Sequence, residues 1–169
     1  MLIEGNPENF QGTTRNRPFA HKMSFAPSCD AAYEAENKTI EFYRYPMANG
    51  GLKEHALTYK GKLTVDVPCG PLSPVLEDIF SGDKHINFFS LDVEGVERFV
   101  LDTIDFGDVR IDVFMIEIEN DNCKPNRACE VRNQVRDKMK REGYNRYEGL
   151  VRTSDIYVHP AVTTRSQNQ

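Results

Sequence analysis

Residues 86–97 read INFFSLDVEGVE, an apolar run that passes directly into a turn rich in acids. Phe88 and Leu91 belong to the nearly continuous apolar part, which is typical of a parallel strand covered on both faces. Asp92 and Glu94 follow where that strand is predicted to end, and carboxylates are costly at such a place unless they have a role there. Because ligands of open α/β sheets bind at the carboxyl ends of the strands, we expect this turn to face a functional crevice.

Strand-like and helix-like segments alternate on both sides of this stretch. Strands are predicted at residues 1–4, 20–26, 39–43, 63–67, 86–91, 111–118, 144–148 and 155–158, and helices begin near residues 7, 73, 96 and 131. Parallel neighbours need helical crossovers, so this alternation predicts an α/β class with a doubly wound, mostly parallel sheet. The third and fourth of these strands are predicted to pair antiparallel, as an insertion (an antiparallel excursion) in the α/β frame. The last two strands are joined by about six residues and predict a C-terminal antiparallel hairpin.

Length and composition indicate one globular domain. The chain has 169 residues, with 39% hydrophobic and 28% charged, which suits one domain with its own core. We expect this domain to cover residues 1–160 and a polar tail to follow at 161–169. The net charge is −5 and there is no basic block, so no nucleic-acid partner is expected. No apolar run reaches the length of a membrane span.

The cysteines are Cys29, Cys69, Cys123 and Cys129. They form no C-x-x-C pair, and no histidine pair stands at zinc-binding spacing. The first interpretation is free thiols in a reduced compartment, with a cytoplasmic location as the default. The alternative is a disulfide such as one between Cys123 and Cys129.

Several segments together resemble the FkbM-type family of S-adenosylmethionine-dependent methyltransferases. They are LDVEGVE at 91–97 followed by Val100 and Leu101, IEGNPENF at 3–10, Glu117, Gly143-Tyr144, and SDIYV at 154–158. In that order they correspond to the family's acidic turn and helix, its second strand and turn, its strand-five acid, and its last two strands. One such motif would be weak, but these stand in register along nearly the whole chain.

The resemblance implies a Rossmann-like fold that uses S-adenosyl-L-methionine to methylate a hydroxyl group. The acceptor would be a small molecule or a glycan, and the motifs do not identify it. The resemblance also implies a first strand and a glycine-rich loop, which would precede Met1. No Gly-x-Gly turn stands ahead of Glu4, and we therefore expect an N-terminally incomplete copy of the domain.

The resemblance assigns cofactor contacts to the ends of two strands. Glu4 could accept hydrogen bonds from both ribose hydroxyls, and the alternative is a solvated acid near a helix N-terminus. Asn6 is a further cofactor candidate, although the preferred interpretation is that, as an N-cap, it shapes the turn together with Pro7. Contacts after the next strand would fall at Ala26, Ser28 or Asp30.

The catalytic candidates are Asp92 and Glu94, and Asp92 is also a candidate for cofactor binding. A carboxylate there could take the proton of an acceptor hydroxyl or steer the positive sulfonium, whereas the alternative is that both acids cap the following helix. Glu97 could lie on the helix surface or form a salt bridge, and Gly95 is expected to serve backbone geometry. Glu117 and Glu119 are expected to line the same crevice. No histidine accompanies these acids, so no metal is expected.

Two other functions remain open at this point. The missing glycine loop favours a non-catalytic interaction module that keeps the fold without the chemistry. Glu4 alone would also suit the ribose of a nicotinamide dinucleotide, but the Asp-x-Glu-Gly turn and the closing hairpin argue against a dehydrogenase.

Overall fold

The structure, a computed structural model, describes residues 1–27, 29, 39–43, 64–80, 82, 84–118 and 127–165. Contacts within the chain divide it into two units. The first comprises Met1–Leu72 with Glu94–Thr103, and the second comprises Ser73–Val93 with Ile104–Gln169.

The described elements alternate between strands and helices, as predicted. In chain order they are β1 (Leu2–Glu4), α1 (Pro7–Asn16), β2 (Lys22–Ser24), β3 (Thr39–Tyr43), β4 (Thr64–Pro68), α2 (Leu72–Phe80), β5 (His85–Leu91), α3 (Glu97–Asp102), β6 (Arg110–Glu117), α4 (Arg127–Arg141), β7 (Asn145–Val151), β8 (Ser154–Val158) and α5 (Pro160–Arg165). The class is therefore mixed α/β, with parallel and antiparallel pairs.

The first unit contains two small sheets. β1 and β2 pair in parallel, and the crossover between them is α1, as parallel pairing requires. α1 begins as the sequence predicts: the Asn6 side chain accepts a hydrogen bond from the Glu8 amide at 3.0 Å, and Pro7 occupies the first turn. β3 and β4 pair antiparallel, which confirms the predicted excursion.

The second unit is built on a four-stranded sheet of order β5-β6-β8-β7. β5 and β6 are parallel, whereas β8 is antiparallel to both of its neighbours, which confirms the predicted terminal hairpin. Phe114 at the centre of β6 is fully buried. Its ring lies 5.3 Å from that of Phe89 and 5.5 Å from that of Tyr144, so aromatic packing joins the strands to the chain that follows α4.

The end of α4 follows from its sequence. Gly143 has a φ of 81°, a conformation that glycine adopts without strain. Its amide donates to the Lys140 carbonyl at 3.1 Å, and the Tyr144 amide donates to the Met139 carbonyl at 3.0 Å. This pair of bonds is a Schellman motif. Val135 and Met139, two predicted members of the apolar face, are both buried.

The prediction that β5 is covered on both faces is wrong at Phe88. That side chain is 56% exposed. The reason is the position of the strand, because among the described residues β5 pairs with β6 alone and lies at the edge of its sheet. An apolar run indicates a strand, but it does not tell an edge strand from a central one.

The helices before and after β5, α2 and α3, also depart from the predicted pattern. α3 buries Val100 and Leu101, whereas Phe99 is 44% exposed, so helical spacing of the apolar residues after Gly95 does not place all of them in the core. α2 begins at Leu72, one residue before the predicted N-cap. The hydroxyl of that residue, Ser73, instead accepts a hydrogen bond from the Asp105 amide at 2.7 Å.

The free-thiol interpretation is wrong for the described cysteines. Cys29 and Cys69 form a disulfide that closes a separation of 40 residues. Cys129 is also disulfide-bonded. Its predicted partner, Cys123, lies outside the described residues. Disulfides persist in oxidising compartments, so these cysteines do not support the reduced-compartment default.

The chain after β8 forms α5 where the sequence predicts a polar tail, and residues 166–169 lie outside the described part. Among the described helices, none has the length and apolar character needed to cross a membrane.

An ion pair at the start of the parallel strands predicts sensitivity to acid. Burial pushes the pKa of Asp112 upward, but the hydrogen bond and charge of His85, together with the charge of Arg110, outweigh burial and hold that pKa below its ordinary 3.8. The His85 Nε2 atom lies 2.7 Å from the carboxylate. A lowered folded-state pKa stabilises the protein above the unfolded-state pKa, and that contribution is lost as the pH falls below about 4.

We therefore expect Asp112→Asn to lower the free energy of unfolding by about 1.5–3 kcal/mol at neutral pH. The gap to the wild type should narrow as the pH falls below 3.8 and close once the pH lies below the lowered folded-state pKa, because the wild-type carboxyl is then protonated as well. Urea titrations across this pH range measure both quantities. Asp137→Asn, at an exposed position of α4, is the control. A gap that persisted unchanged in acid would contradict the assignment.

Candidate active site

The parallel pairing of β5 and β6 brings two acids together. Leu91 lies opposite Ile116 in the ladder, so the next residues, Asp92 and Glu117, stand at the same edge of the sheet. Carboxylate oxygens of these two residues lie within 4.8 Å of each other. Asp92 is exposed, whereas Glu117 is half-buried. Neighbouring parallel strands therefore place these two acids side by side at their carboxyl ends.

The turn after Asp92 has an unusual backbone. Glu94 has a φ of 56° and Gly95 a φ of 99°. Glycine adopts this region freely, which confirms the geometric role predicted for Gly95. A glutamate in the left-handed region is uncommon and costs free energy, and such residues cluster at functional sites. The turn therefore holds Glu94 in a conformation that local preference alone would not select.

Glu97 is not a helix-surface residue. Its side chain is 3% exposed, and Oε1 accepts a hydrogen bond from the Gly95 amide at 3.1 Å. A buried carboxylate with such a bond stabilises the turn, because an unpaired one would be costly to bury. The N-cap of α3 is Val96, which has no side-chain capping bond, so Asp92 and Glu94 do not occupy the capping position.

The end of β1 forms the second candidate region. Glu4 Oε1 accepts a hydrogen bond from the Asn6 amide at 2.7 Å, and Asn6 is 1% exposed. Asn6 therefore shapes this turn, which was the alternative considered for it. The Glu4 carboxylate is therefore engaged with the turn that follows β1.

The remaining cofactor candidates lie after β2. Ala26 is 4% exposed. Its amide donates to the Pro68 carbonyl at 2.8 Å, and its carbonyl accepts from the Gly70 amide at 3.4 Å. A cofactor contact at Ala26 would therefore be a van der Waals contact. Ser28, Asp30 and Glu119 lie outside the described residues.

This arrangement supports two kinds of chemistry. The carboxylates of Asp92 and Glu117 could accept a proton or attract a positive charge, because carboxylates act in both ways near a reacting group. Paired carboxylate oxygens are also ligands of hard divalent cations. Cations of that class usually take six or more oxygen ligands, so this pair by itself does not define a metal site.

A comparison with known protein families gives an independent assignment of the chain. The sequence matches the Methyltransferase FkbM domain family over residues 1–146. The chain belongs to the FkbM methyltransferase family. The match confirms the resemblance drawn from the motifs and runs from β1 into β7. No curated protein and no solved structure matches the chain, so the family assignment rests on the domain match.

Sequence reasoning missed three residues that shape these regions of the FkbM domain. The burial of Glu97 was not foreseen, and neither was the pairing of Cys29 with Cys69. One signal in the sequence was available for the cysteines, because each follows closely on a proline at the end of a predicted strand. Those prolines are Pro27 and Pro68, and strands commonly stop at such residues.

Proposed function

We propose that this FkbM domain is an S-adenosylmethionine-dependent O-methyltransferase, with Asp92 as its principal catalytic carboxylate. The proposal is carried by one observation in a protein of this family: Asp92 and Glu117 lie within 4.8 Å of each other at the carboxyl ends of neighbouring parallel strands. Ligands of parallel sheets bind at such ends. Family membership supports methyl transfer in general, and the hydroxyl acceptor is the specific part of the proposal.

S-adenosylmethionine would supply an electrophilic methyl group on a positively charged sulfur. In the proposed reaction the acceptor oxygen forms a bond to the methyl carbon while the carbon–sulfur bond breaks, and its electron pair stays on sulfur. The hydroxyl proton passes to the Asp92 carboxylate. Glu117, half-buried beside it, adds negative charge that favours the positive sulfonium and orients Asp92.

The residues present suit such a cofactor in their chemistry. Asp92 is exposed, as a group that meets a ligand must be, and Glu94 is held in a strained backbone conformation. Glu4 stands at the end of β1, and we propose on the family resemblance that its carboxylate accepts hydrogen bonds from the ribose hydroxyls.

We further propose that the sheet is Rossmann-like and doubly wound, with one more parallel strand beside β5. Among the described residues β5 has a neighbour on one side only, and Phe88 on this strand is 56% exposed. Long uncharged edges of this kind are usually covered in natural proteins. A strand followed by a glycine-rich loop would cover this edge and let the backbone approach the cofactor.

Isothermal titration calorimetry with S-adenosylmethionine tests the proposal. The chain of residues 1–169 is titrated. We expect it to bind with a Kd in the micromolar range, about −8 kcal/mol, and S-adenosylhomocysteine to compete. Absence of binding would overturn the enzyme proposal and favour the non-catalytic module.

A further inference from the structure

The strand β7 forms one edge of the four-stranded sheet. Among the described residues it pairs with β8 alone, and its side chains are exposed along the whole strand. Large apolar groups are among them: Tyr147 is 43% exposed, Leu150 69% and Val151 39%. An edge strand presents amides and carbonyls that a strand from another molecule can bind. This edge is therefore a candidate interaction surface.

The bonds that flank β8 show which way its backbone groups point. The Thr153 carbonyl accepts a hydrogen bond from the Ile118 amide, and the His159 amide donates to the Asp112 carbonyl, each at 2.8 Å. Both bonds join odd-numbered residues of the β8 chain to β6. Successive residues of a strand direct their backbone groups to opposite sides, so the even-numbered residues of β8 direct theirs to β7.

The same alternation identifies the outward-pointing groups of β7. Asn145 and Tyr147 lie opposite even-numbered residues of β8 in the ladder, so their backbone groups face β8. Those of Arg146 therefore point to the open side, and continued alternation directs those of Glu148 there as well. A register shift begins after Tyr147, and Gly149 has a φ of 74°. This bulge limits regular outward pairing to the first half of the strand.

The two outward-pointing residues carry opposite charges. Arg146 and Glu148 form an ion pair within the chain, with Nη2 and Oε2 3.1 Å apart, and their side chains are 35% and 68% exposed. If two copies of the strand pair antiparallel about a twofold axis at Tyr147, Arg146 of each copy lies opposite Glu148 of the other. Opposite charges in this position stabilise a strand pair, whereas an axis at Arg146 or Glu148 would oppose like charges.

The axis at Tyr147 also brings two aromatic rings together. Because the Tyr147 backbone faces β8, its pairing with the second copy is of the non-hydrogen-bonded kind, in which side chains lie closest. Aromatic cross-strand pairs are favourable. Charges of a single sign commonly protect an edge strand from pairing. Here the charges have both signs and are placed symmetrically about Tyr147, so the strand is complementary to itself.

We propose that residues 145–148 of β7 form a homodimer interface, in which a second copy of this chain adds its own β7 antiparallel, with the twofold axis at Tyr147. The contacts are isologous, as closed twofold symmetry requires. The shortness of the pairing predicts a small interface and a weak dimer, with a Kd on the order of 10 µM. Dimerisation of this kind does not depend on the proposed enzymatic activity.

Sedimentation equilibrium of the chain of residues 1–169 at about 1 to 200 µM tests the proposal, and we expect a concentration-dependent shift from monomer to dimer. Glu148→Lys opposes two positive charges and should raise the dimer Kd more than about tenfold. Asp78→Lys, the same charge change at an exposed position of α2, should change the Kd less than about twofold. Circular dichroism checks that both variants are folded. A wild-type monomer at every concentration, or equal Kd values for the two variants, would overturn the proposal.

Hydrogen exchange at single amides tests the register in the wild-type protein. We expect the Arg146 and Glu148 amides to gain protection only at concentrations where the dimer is present, whereas the Tyr147 amide, which faces β8, is protected throughout. Protection of the Arg146 amide at every concentration would show that another part of the chain covers this edge, and would overturn the proposal. A dimer in which that amide exchanges freely would place the interface elsewhere and overturn it too.

Discussion

Replacement of Asp155 with alanine is expected to lower the free energy of unfolding by about 3–5 kcal/mol. The carboxylate is 1% exposed, and Arg136 donates to its two oxygens at 2.7 and 3.2 Å. The buried Tyr157 hydroxyl donates to it at 3.2 Å. Removal of the carboxylate leaves the partly buried Arg136 guanidinium and the buried Tyr157 hydroxyl without this hydrogen-bond acceptor. The loss is large against the total of about 5–15 kcal/mol for a typical domain, and urea titration at neutral pH measures it.

Matched variants separate the cost of an unpaired charge from the net value of the pair. Asp155→Asn keeps the shape and some hydrogen bonding, so we expect about half the loss. The double change Arg136→Met/Asp155→Leu removes both charges and should cost less than Asp155→Ala, because no buried charge is stranded. Asp137→Ala at an exposed position of α4 should cost less than about 0.5 kcal/mol. A loss below about 1 kcal/mol for Asp155→Ala would contradict the argument.

A spectroscopic readout follows from the same cluster. Burial, and then the charge of the Asp155 carboxylate, raise the pKa of Tyr157. In a folded Asp155→Asn protein we expect that pKa to fall, since the amide carries no negative charge. Alkaline titration of tyrosine absorbance measures this change. Tyr144, whose pKa burial raises to about 12, provides an internal comparison because its hydroxyl donates to the Ile111 carbonyl instead.

The elements that the sequence predicted well are those specified by local chemistry. Asn6 and Pro7 mark the start of α1 because they supply the cap and the first-turn geometry that a helix needs. Gly143 marks the end of α4 because only a residue at ease with positive φ forms the Schellman bonds there. These signals lie within a few residues of the feature that they determine.

Features that depend on distant residues were not predictable in the same way. The apolar run around Phe88 indicates a strand, but its exposure depends on whether another strand pairs with that edge. The pairing of Cys29 with Cys69 joins residues 40 positions apart, and four cysteines allow several pairings that spacing cannot distinguish. Each of these features is decided by tertiary neighbours rather than by local pattern.

The candidate site combines one feature that a general sequence rule predicts with another that depends on tertiary structure. The proximity of Asp92 and Glu117 follows from a general rule, because neighbouring parallel strands end at the same edge. The burial of Glu97 does not follow from its position in the sequence, since an acid in a first helical turn is usually solvated. Its bond to the Gly95 amide arises from the positive φ values of the turn, which a sequence pattern does not specify for glutamate.

Replacement of Asp92 with asparagine is expected to reduce kcat for methyl transfer by about 10²–10⁴-fold. Asparagine keeps the size of the side chain and cannot take the proton of an attacking hydroxyl. The result also separates the two roles open to Asp92. If it is the proton acceptor, kcat falls while the Kd for S-adenosylmethionine changes by less than about threefold. If it mainly attracts the sulfonium, the Kd rises with little change in kcat.

Two further variants make this result specific to the acidic pair. Glu117→Gln should reduce kcat by about tenfold, because Glu117 lies beside Asp92 and is proposed to orient it without accepting the proton. Asp78→Asn, at an exposed position of α2, removes one negative charge away from the pair and should leave kcat unchanged. A wild-type rate in Asp92→Asn would remove Asp92 from the mechanism. A loss in Glu117→Gln larger than that in Asp92→Asn would reverse the two roles, because the residue that takes the proton must be the more costly one to neutralise.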